Sequence, residues 1–166
     1  MDISIDDARL DDAPAIARIY NDAVMNTVAT FDTQPVSDEI QRERLDHHGE
    51  RYPVVVARSV DGVIGWASLS AWSDRCAYSV TAELSVYVQS DARGGGAGQL
   101  LARAVLDRGR AAGLHTVLAR MESGNDVSLH IMAKLGFRDI GIMRQVGYKF
   151  DRRLDVTLMQ LIYDEV

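Results

Sequence analysis

Short runs that alternate between apolar and polar residues recur along the chain and predict β-strands. The first is ISIDDARL, at residues 3–10, and two more, PVVVARSV and VIGWASLSAW, flank Asp61 and Gly62. An Asp-Gly pair between two such runs is typical of a tight hairpin, because both residues tolerate the positive φ that the turn requires. The pattern therefore predicts an antiparallel pair of strands on either side of residues 61–62.

Other segments carry apolar residues at the three- and four-residue spacing of an amphipathic helix. Either aspartate of residues 11–12 can cap the first helix, and Pro14 suits its first turn because that position needs no N–H donor. A second, shorter helix is predicted from Ser37, with Ile40 and Leu45 facing inward.

In the second half of the chain, strand and helix patterns alternate. TAELSVYVQ predicts a strand with Leu84, Val86 and Val88 on one side, and the next segment predicts a helix through Ala112 that ends before Gly113. HTVLARM, FRDIGIM and YKFDRRLDVTLMQLIY predict strands, and NDVSLHIMAKLG predicts a helix. The whole order predicts one α/β domain over residues 1–166, with a largely antiparallel sheet rather than a regularly alternating parallel one.

Composition and charge narrow the possible partners. The 166 residues carry a net charge of −6, which argues against a nucleic-acid-binding protein because such proteins present a basic face. No apolar stretch approaches the ~20 residues that cross a bilayer, and the acidic start does not resemble a leader, so we expect no membrane partner. The single cysteine, Cys76, excludes an internal disulfide framework and fits a reducing, cytoplasmic location.

The segment DARGGGAG, residues 91–98, lies between a predicted strand and a predicted helix. Glycines there let backbone N–H groups approach an anion at the positive end of the helix dipole. A P-loop is excluded because Gly98 is followed by Gln99, and no register fits the dinucleotide fingerprint G-x-G-x-x-G. The remaining pattern, R-x-x-G-x-G from Arg93, Gly96 and Gly98, predicts a pyrophosphate site. A loop that only turns sharply is the alternative, but it would need fewer glycines.

Several stretches together give the chain a resemblance to a known family. TAELSVYVQSDARGGGAGQLL resembles the coenzyme A-binding core of the GNAT acetyltransferases. IYNDAVMNTVATFD, RCAYSVTAELSVYV, GNDVSLHIMAKLGF and VGYKFDRRLDV are similar to the phosphinothricin and methionine sulfoximine acetyltransferase branch of that family. The resemblance implies a GNAT-type mixed sheet, largely antiparallel, flanked by helices and splayed at an acetyl-CoA site.

The resemblance implies acetyl-CoA as the co-substrate and assigns three groups of contacts to it. The strand before the glycine loop would pair with the pantetheine arm through its backbone, the loop would hold the pyrophosphate, and the start of the next helix would contact the arm. In that order the residues are Val86, Tyr87 and Val88; Arg93, Gly94, Gly95, Gly96, Ala97 and Gly98; and Asn125 and Ser128. The valines also suit a core strand, and Asn125 is a good N-cap in any case.

The resemblance also implies catalytic and substrate-binding residues. Glu83, a carboxylate in an otherwise apolar strand, would take the proton from the attacking amine. Arg75 would bind the substrate carboxylate, with Phe31 and Tyr78 lining the pocket beside Glu83. His130, or else water, would protonate the leaving thiolate. Arg75 could instead be a solvated loop residue, Phe31 and Tyr78 core residues, and His130 structural; no residues stand at metal-ligand spacing, so no metal is expected.

The implied reaction is acetyl transfer to the α-amine of a small amino-acid-like substrate, of the phosphinothricin, methionine sulfoximine or methionine sulfone type, by a homodimer. The alternatives are a polyamine, aminoglycoside or protein N-terminus as the acceptor, and a non-catalytic acyl-CoA sensor. One departure bears on the substrate: Asp151 and Arg153 stand where the family tends to have the second glycine and the tryptophan of G-x-K-x-G-x-W-x-D.

Overall fold

The computed structural model describes residues 3–165 as a seven-stranded sheet with helices packed on both faces. The strands are β1 (Ser4–Asp7), β2 (Val54–Ser59), β3 (Gly62–Ala71), β4 (Thr81–Val88), β5 (Thr116–Glu122), β6 (Arg138–Lys149) and β7 (Arg152–Ile162). The helices are α1 (Ala13–Asn26), α2 (Asp38–Asp46), α3 (Ala97–Ala111) and α4 (Asp126–Lys134). None of the helices between residues 3 and 165 is both long enough and apolar enough to cross a membrane.

The strands are ordered β1-β2-β3-β4-β5-β7-β6, and each neighbouring pair is antiparallel except β4 with β5. β2 and β3 form the predicted hairpin, in which Ser59 is paired with Gly62. The prediction of an α/β domain with a mixed, largely antiparallel sheet is confirmed.

Two sequence-based expectations are wrong. The sequence pattern predicts one strand that ends at Met143 and another that begins at Tyr148. In the structure β6 continues through Lys149, and the chain reverses at Phe150 and Asp151, whose φ values are 51° and 57°. A two-residue hairpin turn requires such positive φ values, but neither residue is glycine, so these two positions carry little turn signal. Ile40 does not face inward either: it is exposed, and its neighbour Gln41 is buried instead.

Alternation along β4 assigns its side chains to opposite faces of the sheet. On one face, α3 covers a buried cluster that contains Leu84, and Val86 and Val88 pack against that cluster as predicted. On the other face, Ile16 of α1 and Trp66 of β3 belong to a second cluster. The residues of β4 between the apolar ones therefore face the side that α1 covers.

β4 loses its partner β5 after its first three residues. From Thr81 to Glu83 it pairs in parallel with Thr116 to Leu118 of β5. Further along, β4 stays paired with β3 through Val88, but within residues 3–165 its ladder with β5 does not continue. β5 itself remains paired with β7 as far as Glu122. The two strands therefore separate beyond Glu83 and leave a cleft between them.

Candidate active site

The cleft between β4 and β5 opens into a cavity of about 560 Å³. Its walls come from the loop after α1, from β4 and β5, from the start of α4, and from β6 and β7. The structure thus brings together six of the residues predicted from the sequence: Phe31, Glu83, Val86, Tyr87, Asn125 and Ser128. These six come from three separate segments of the chain, which only the folded sheet places side by side.

Glu83 is held by an arginine that the sequence analysis did not identify. Its carboxylate accepts two hydrogen bonds from Arg120 of β5, from Nε at 2.6 Å and from Nη2 at 2.7 Å. The Glu83 side chain is 23% exposed, and the Arg120 guanidinium lies 5.3 Å from the centroid of the Trp72 ring. Hydrogen bonding to Glu83 raises the pKa of Arg120. The pair is possible because Glu83 is opposite Leu118 in the parallel ladder, which puts Arg120 two residues further along the same face.

A buried lysine fixes the loop that carries Phe31. Lys149, only 5% exposed, donates a hydrogen bond of 2.9 Å from Nζ to the Thr30 carbonyl. The ring of Phe31 lies so close over Gly147 that a Cβ at that position would overlap it. Burial lowers the pKa of Lys149, so the hydrogen bond to Thr30 compensates a desolvated ammonium. The Gly147-x-Lys149 element of the family motif thus positions the pocket wall formed by residues 29–32.

Tyr20 fixes the same loop from the side of α1. Its hydroxyl lies 3.0 Å from Thr30 Oγ1 and donates a hydrogen bond of 2.5 Å to Asp32 Oδ2. Burial, and then the bond to Asp32, raise the pKa of Tyr20 to about 12. The Tyr20 ring also packs edge-on against Tyr87, with centroids 5.2 Å apart, and burial raises the pKa of Tyr87 too. Both phenols are therefore neutral at physiological pH, and the cavity has a rigid wall on this side.

The glycine loop presents free backbone donors. Gly94 and Gly96 adopt φ values of +83° and +85°, which favour glycine, and Gly96 is the N-cap of α3. Among residues 3–165, no acceptor is paired with the amide groups of residues 94–98. Arg93 is exposed and donates from Nε to the Val88 carbonyl at 3.1 Å, which ties the loop to the end of β4. Such a set of donors at a helix N-terminus fits an anion as large as a diphosphate.

The start of α4 faces the cavity. Asn125 caps this helix, and its Oδ1 accepts a hydrogen bond of 3.1 Å from the Ser128 amide. The cap occupies Oδ1 but leaves the Asn125 amide nitrogen and the Ser128 hydroxyl available to a ligand. His130 lies on the same helix but is exposed and does not line the cavity.

The other predicted substrate residues lie outside the cavity wall. Arg75 and Tyr78 belong to an exposed segment between β3 and β4, residues 74–80, which includes a short 3₁₀ helix at Cys76–Tyr78. Asp151 and Arg153, the residues that depart from the family motif, lie at the β6–β7 turn and also do not line the cavity. The departure therefore lies at the turn and not among the residues that line the cavity.

The cleft, the cavity and the glycine loop can be compared with known proteins. The family model described as "Acetyltransferase (GNAT) domain" matches residues 3–138. The chain belongs to the GNAT acetyltransferase family. Membership confirms the resemblance that the sequence motifs indicated. It identifies the chain as an acetyl-CoA-dependent N-acetyltransferase rather than a non-catalytic acyl-CoA sensor.

Individual members of the family are similar over nearly the whole chain. The L-methionine sulfoximine/L-methionine sulfone acetyltransferase of Pseudomonas aeruginosa is 44% identical over 99% of this chain and 96% of its own. The L-amino acid N-acyltransferase MnaT of Escherichia coli is 41% identical over 98% of this chain and 95% of its own. The crystal structure of a phosphinothricin acetyltransferase from Sinorhizobium meliloti in complex with acetyl-CoA has a TM-score of 0.93 and 35% identity, over 98% of this chain and 89% of its own.

Replacement of the buried lysine tests how the pocket wall is held. Lys149→Met should lower the free energy of unfolding by about 1–3 kcal/mol, because the Thr30 carbonyl would be buried without its donor. Lys134→Met is the matched control: Lys134 is exposed on α4, and its replacement should change the value by less than about 0.5 kcal/mol. Chemical denaturation measures both, and equal effects of the two substitutions would contradict the proposed anchor.

Proposed function

We propose that the protein transfers the acetyl group of acetyl-CoA to the α-amine of a small amino-acid-like acceptor, of the methionine sulfoximine, methionine sulfone or phosphinothricin type. The observation that carries the proposal is the position of Glu83. It is the last residue of β4 paired with β5, and its carboxylate lines the cavity that begins where the strands separate. The relatives named above act on acceptors of this kind, which supports the choice of substrate class.

In this proposal the chain holds acetyl-CoA along three surfaces. The backbone of Val86, Tyr87 and Val88, unpaired on its β5 side, hydrogen-bonds the pantetheine arm as an added strand would. The free amides of residues 94–98 and the Arg93 guanidinium bind the pyrophosphate, and Asn125 with Ser128 contacts the arm from the other side of the cleft. The bound thioester supplies the activated acetyl group.

Glu83 then acts as the base. An α-ammonium must lose a proton before it can attack a thioester, and Glu83 accepts that proton directly or through one water molecule. An unpaired backbone N–H of β4 donates to the carbonyl oxygen as negative charge develops on it. The leaving thiolate takes its proton from water or from His130, two residues beyond Ser128 on α4. Phe31 packs against the acceptor side chain, whereas Arg75 and Tyr78 lie outside the cavity wall and would reach the acceptor only if residues 74–80 moved toward the cavity.

The charge of the cavity supports cationic acceptors as a second class to be tested. Three carboxylates, Asp32, Glu83 and Glu122, and a single guanidinium, Arg120, line the cavity. An acidic lining suits a cationic acceptor such as a polyamine, in which several ammonium groups need partners. This observation favours a polycationic acceptor, a polyamine or an aminoglycoside, over a protein N-terminus as the alternative.

Coenzyme A release from acetyl-CoA, measured with a panel of amines, separates these acceptor classes. We expect turnover with methionine sulfone, methionine sulfoximine or phosphinothricin, and little with spermidine or a short peptide. With the best acceptor, Glu83→Gln should lower kcat by roughly 10²- to 10⁴-fold, because an amide cannot accept the proton.

Glu122→Gln provides the matched control for this loss. Glu122 lines the same cavity, but its carboxylate accepts a hydrogen bond from the Gly124 amide and has no proposed role in proton transfer. Turnover with spermidine alone would contradict the proposed acceptor. A near-normal kcat for Glu83→Gln, or an equal loss for Glu122→Gln, would contradict the proposed base.

We also propose that two copies of the chain pair through β6. This strand is an edge of the sheet and exposes a row of apolar side chains, Ile140, Ile142, Val146 and Tyr148. An uncovered edge of this kind is a template for pairing with another chain. Sedimentation velocity should give about twice the chain mass of 18.3 kDa. Ile142→Lys should yield a monomer and Val60→Lys, at an exposed hairpin loop, should not; a monomeric parent chain would contradict the proposal.

A further inference from the structure

Arg120 contributes the single cationic side chain among the residues that line the cavity, and nothing in the family resemblance assigns it a role. It is on β5, the strand that faces β4 across the cleft, and its side chain is 48% exposed. Its position therefore lets it meet both the candidate base and a molecule that enters the cavity.

The guanidinium uses only part of its hydrogen-bonding capacity. Its Nε and Nη2 face Glu83, which they hold in a two-point contact at 2.6 and 2.7 Å. A guanidinium carries five N–H groups in one plane, so three remain after this contact, two of them on Nη1. Among residues 3–165 no acceptor pairs with Nη1, and the ring of Trp72 lies 5.3 Å away and restricts how the plane can turn.

The free edge of Arg120, formed by Nη1 and Nη2, matches a carboxylate. Planar guanidinium groups bind carboxylates through two parallel N–H···O contacts, and one arginine can bind a carboxylate on each of two edges. In an α-amino acid the amine and the carboxylate are attached to the same carbon atom. With a carboxylate on the free edge, the α-ammonium can turn toward the carboxylate on the other edge, which is Glu83.

We propose that Arg120 determines acceptor specificity by bridging Glu83 and the α-carboxylate of the acceptor. This inference rests on the proposed function and assigns to Arg120 the primary contact with the carboxylate, which the resemblance assigns to Arg75. Arg75 does not line the cavity, whereas Arg120 lines it and already contacts the base. The bridging guanidinium also lies between two carboxylates and reduces the repulsion between them.

The bridge accounts for selection between acceptor classes. An acceptor with a free α-carboxylate gains the contact with Nη1 and Nη2, whereas the corresponding carboxamide or a polyamine brings a neutral or cationic group to the same edge. Lysine could not replace arginine here, because an ammonium is a point charge without two carboxylate-matching edges.

The test compares methionine sulfone with its α-carboxamide as acceptors, using the ratio of their kcat/KM values. The parent chain should prefer the carboxylate form, and Arg120→Met should lower that ratio by about 10- to 100-fold, because a charge-assisted two-point contact is lost. The ratio cancels any effect of the substitution on Glu83 itself, since both acceptors use the same base. Arg120→Lys should recover only part of the ratio, and Arg75→Met should change it less than Arg120→Met does.

Calorimetric titration of methionine sulfone and its carboxamide into the protein with coenzyme A supplies a readout that does not require turnover. The carboxylate form should bind more tightly to the parent chain, and Arg120→Met should abolish the difference. Three outcomes would overturn the bridge while leaving acetyl transfer to amino acids intact. They are turnover by Arg120→Met with an unchanged ratio of kcat/KM values, a full recovery of that ratio by Arg120→Lys, and a loss of the ratio in Arg75→Met instead of Arg120→Met. If no amino-acid acceptor is bound and none is turned over, both proposals are overturned.

Discussion

The site depends on a single interruption in the sheet: the parallel ladder between β4 and β5 ends at Glu83 and Leu118. On either side of this interruption each strand keeps its other partner, β3 for β4 and β7 for β5, so the separation does not destabilise the sheet as a whole. Every group assigned to the site is placed relative to this gap. Glu83 lies at its closed end, Arg120 spans it, and the glycine loop follows the free end of β4.

Two further constraints shape the space that the gap creates. The loop of residues 29–32 forms a wall because Lys149 and Tyr20 hold it from opposite sides, and because Gly147 leaves room for the ring of Phe31. The apolar side chains of β4 are anchored in the core beneath α3, which leaves the backbone of this strand in a fixed position at the cleft. A rigid cavity of this kind orients an acceptor without a large loss of entropy on binding.

The sequence predicted the fold and much of the candidate site, because local patterns carry that information. Hairpin, helix and glycine-loop signals depend on neighbouring residues, and the motif order named the family. The Glu83–Arg120 pair was not predictable in the same way, since it depends on the register between two strands whose paired residues are 35 positions apart in the chain. Gly147 and Lys149 were seen as motif residues, but their contacts with Phe31 and Thr30 join segments more than a hundred residues apart. The β6–β7 turn was missed because Phe150 and Asp151 adopt positive φ values without a glycine.

We propose that the free edge of β4 and the glycine loop together bind acetyl-CoA. Residue-resolved amide hydrogen exchange, measured with and without coenzyme A, tests this claim most directly. We expect binding to slow exchange at the amides of residues 84–88 that face the cleft and at residues 94–98, while the amides of the β2–β3 hairpin keep their rates. Unchanged exchange in both segments under saturating coenzyme A, with slowing elsewhere in the chain, would contradict it.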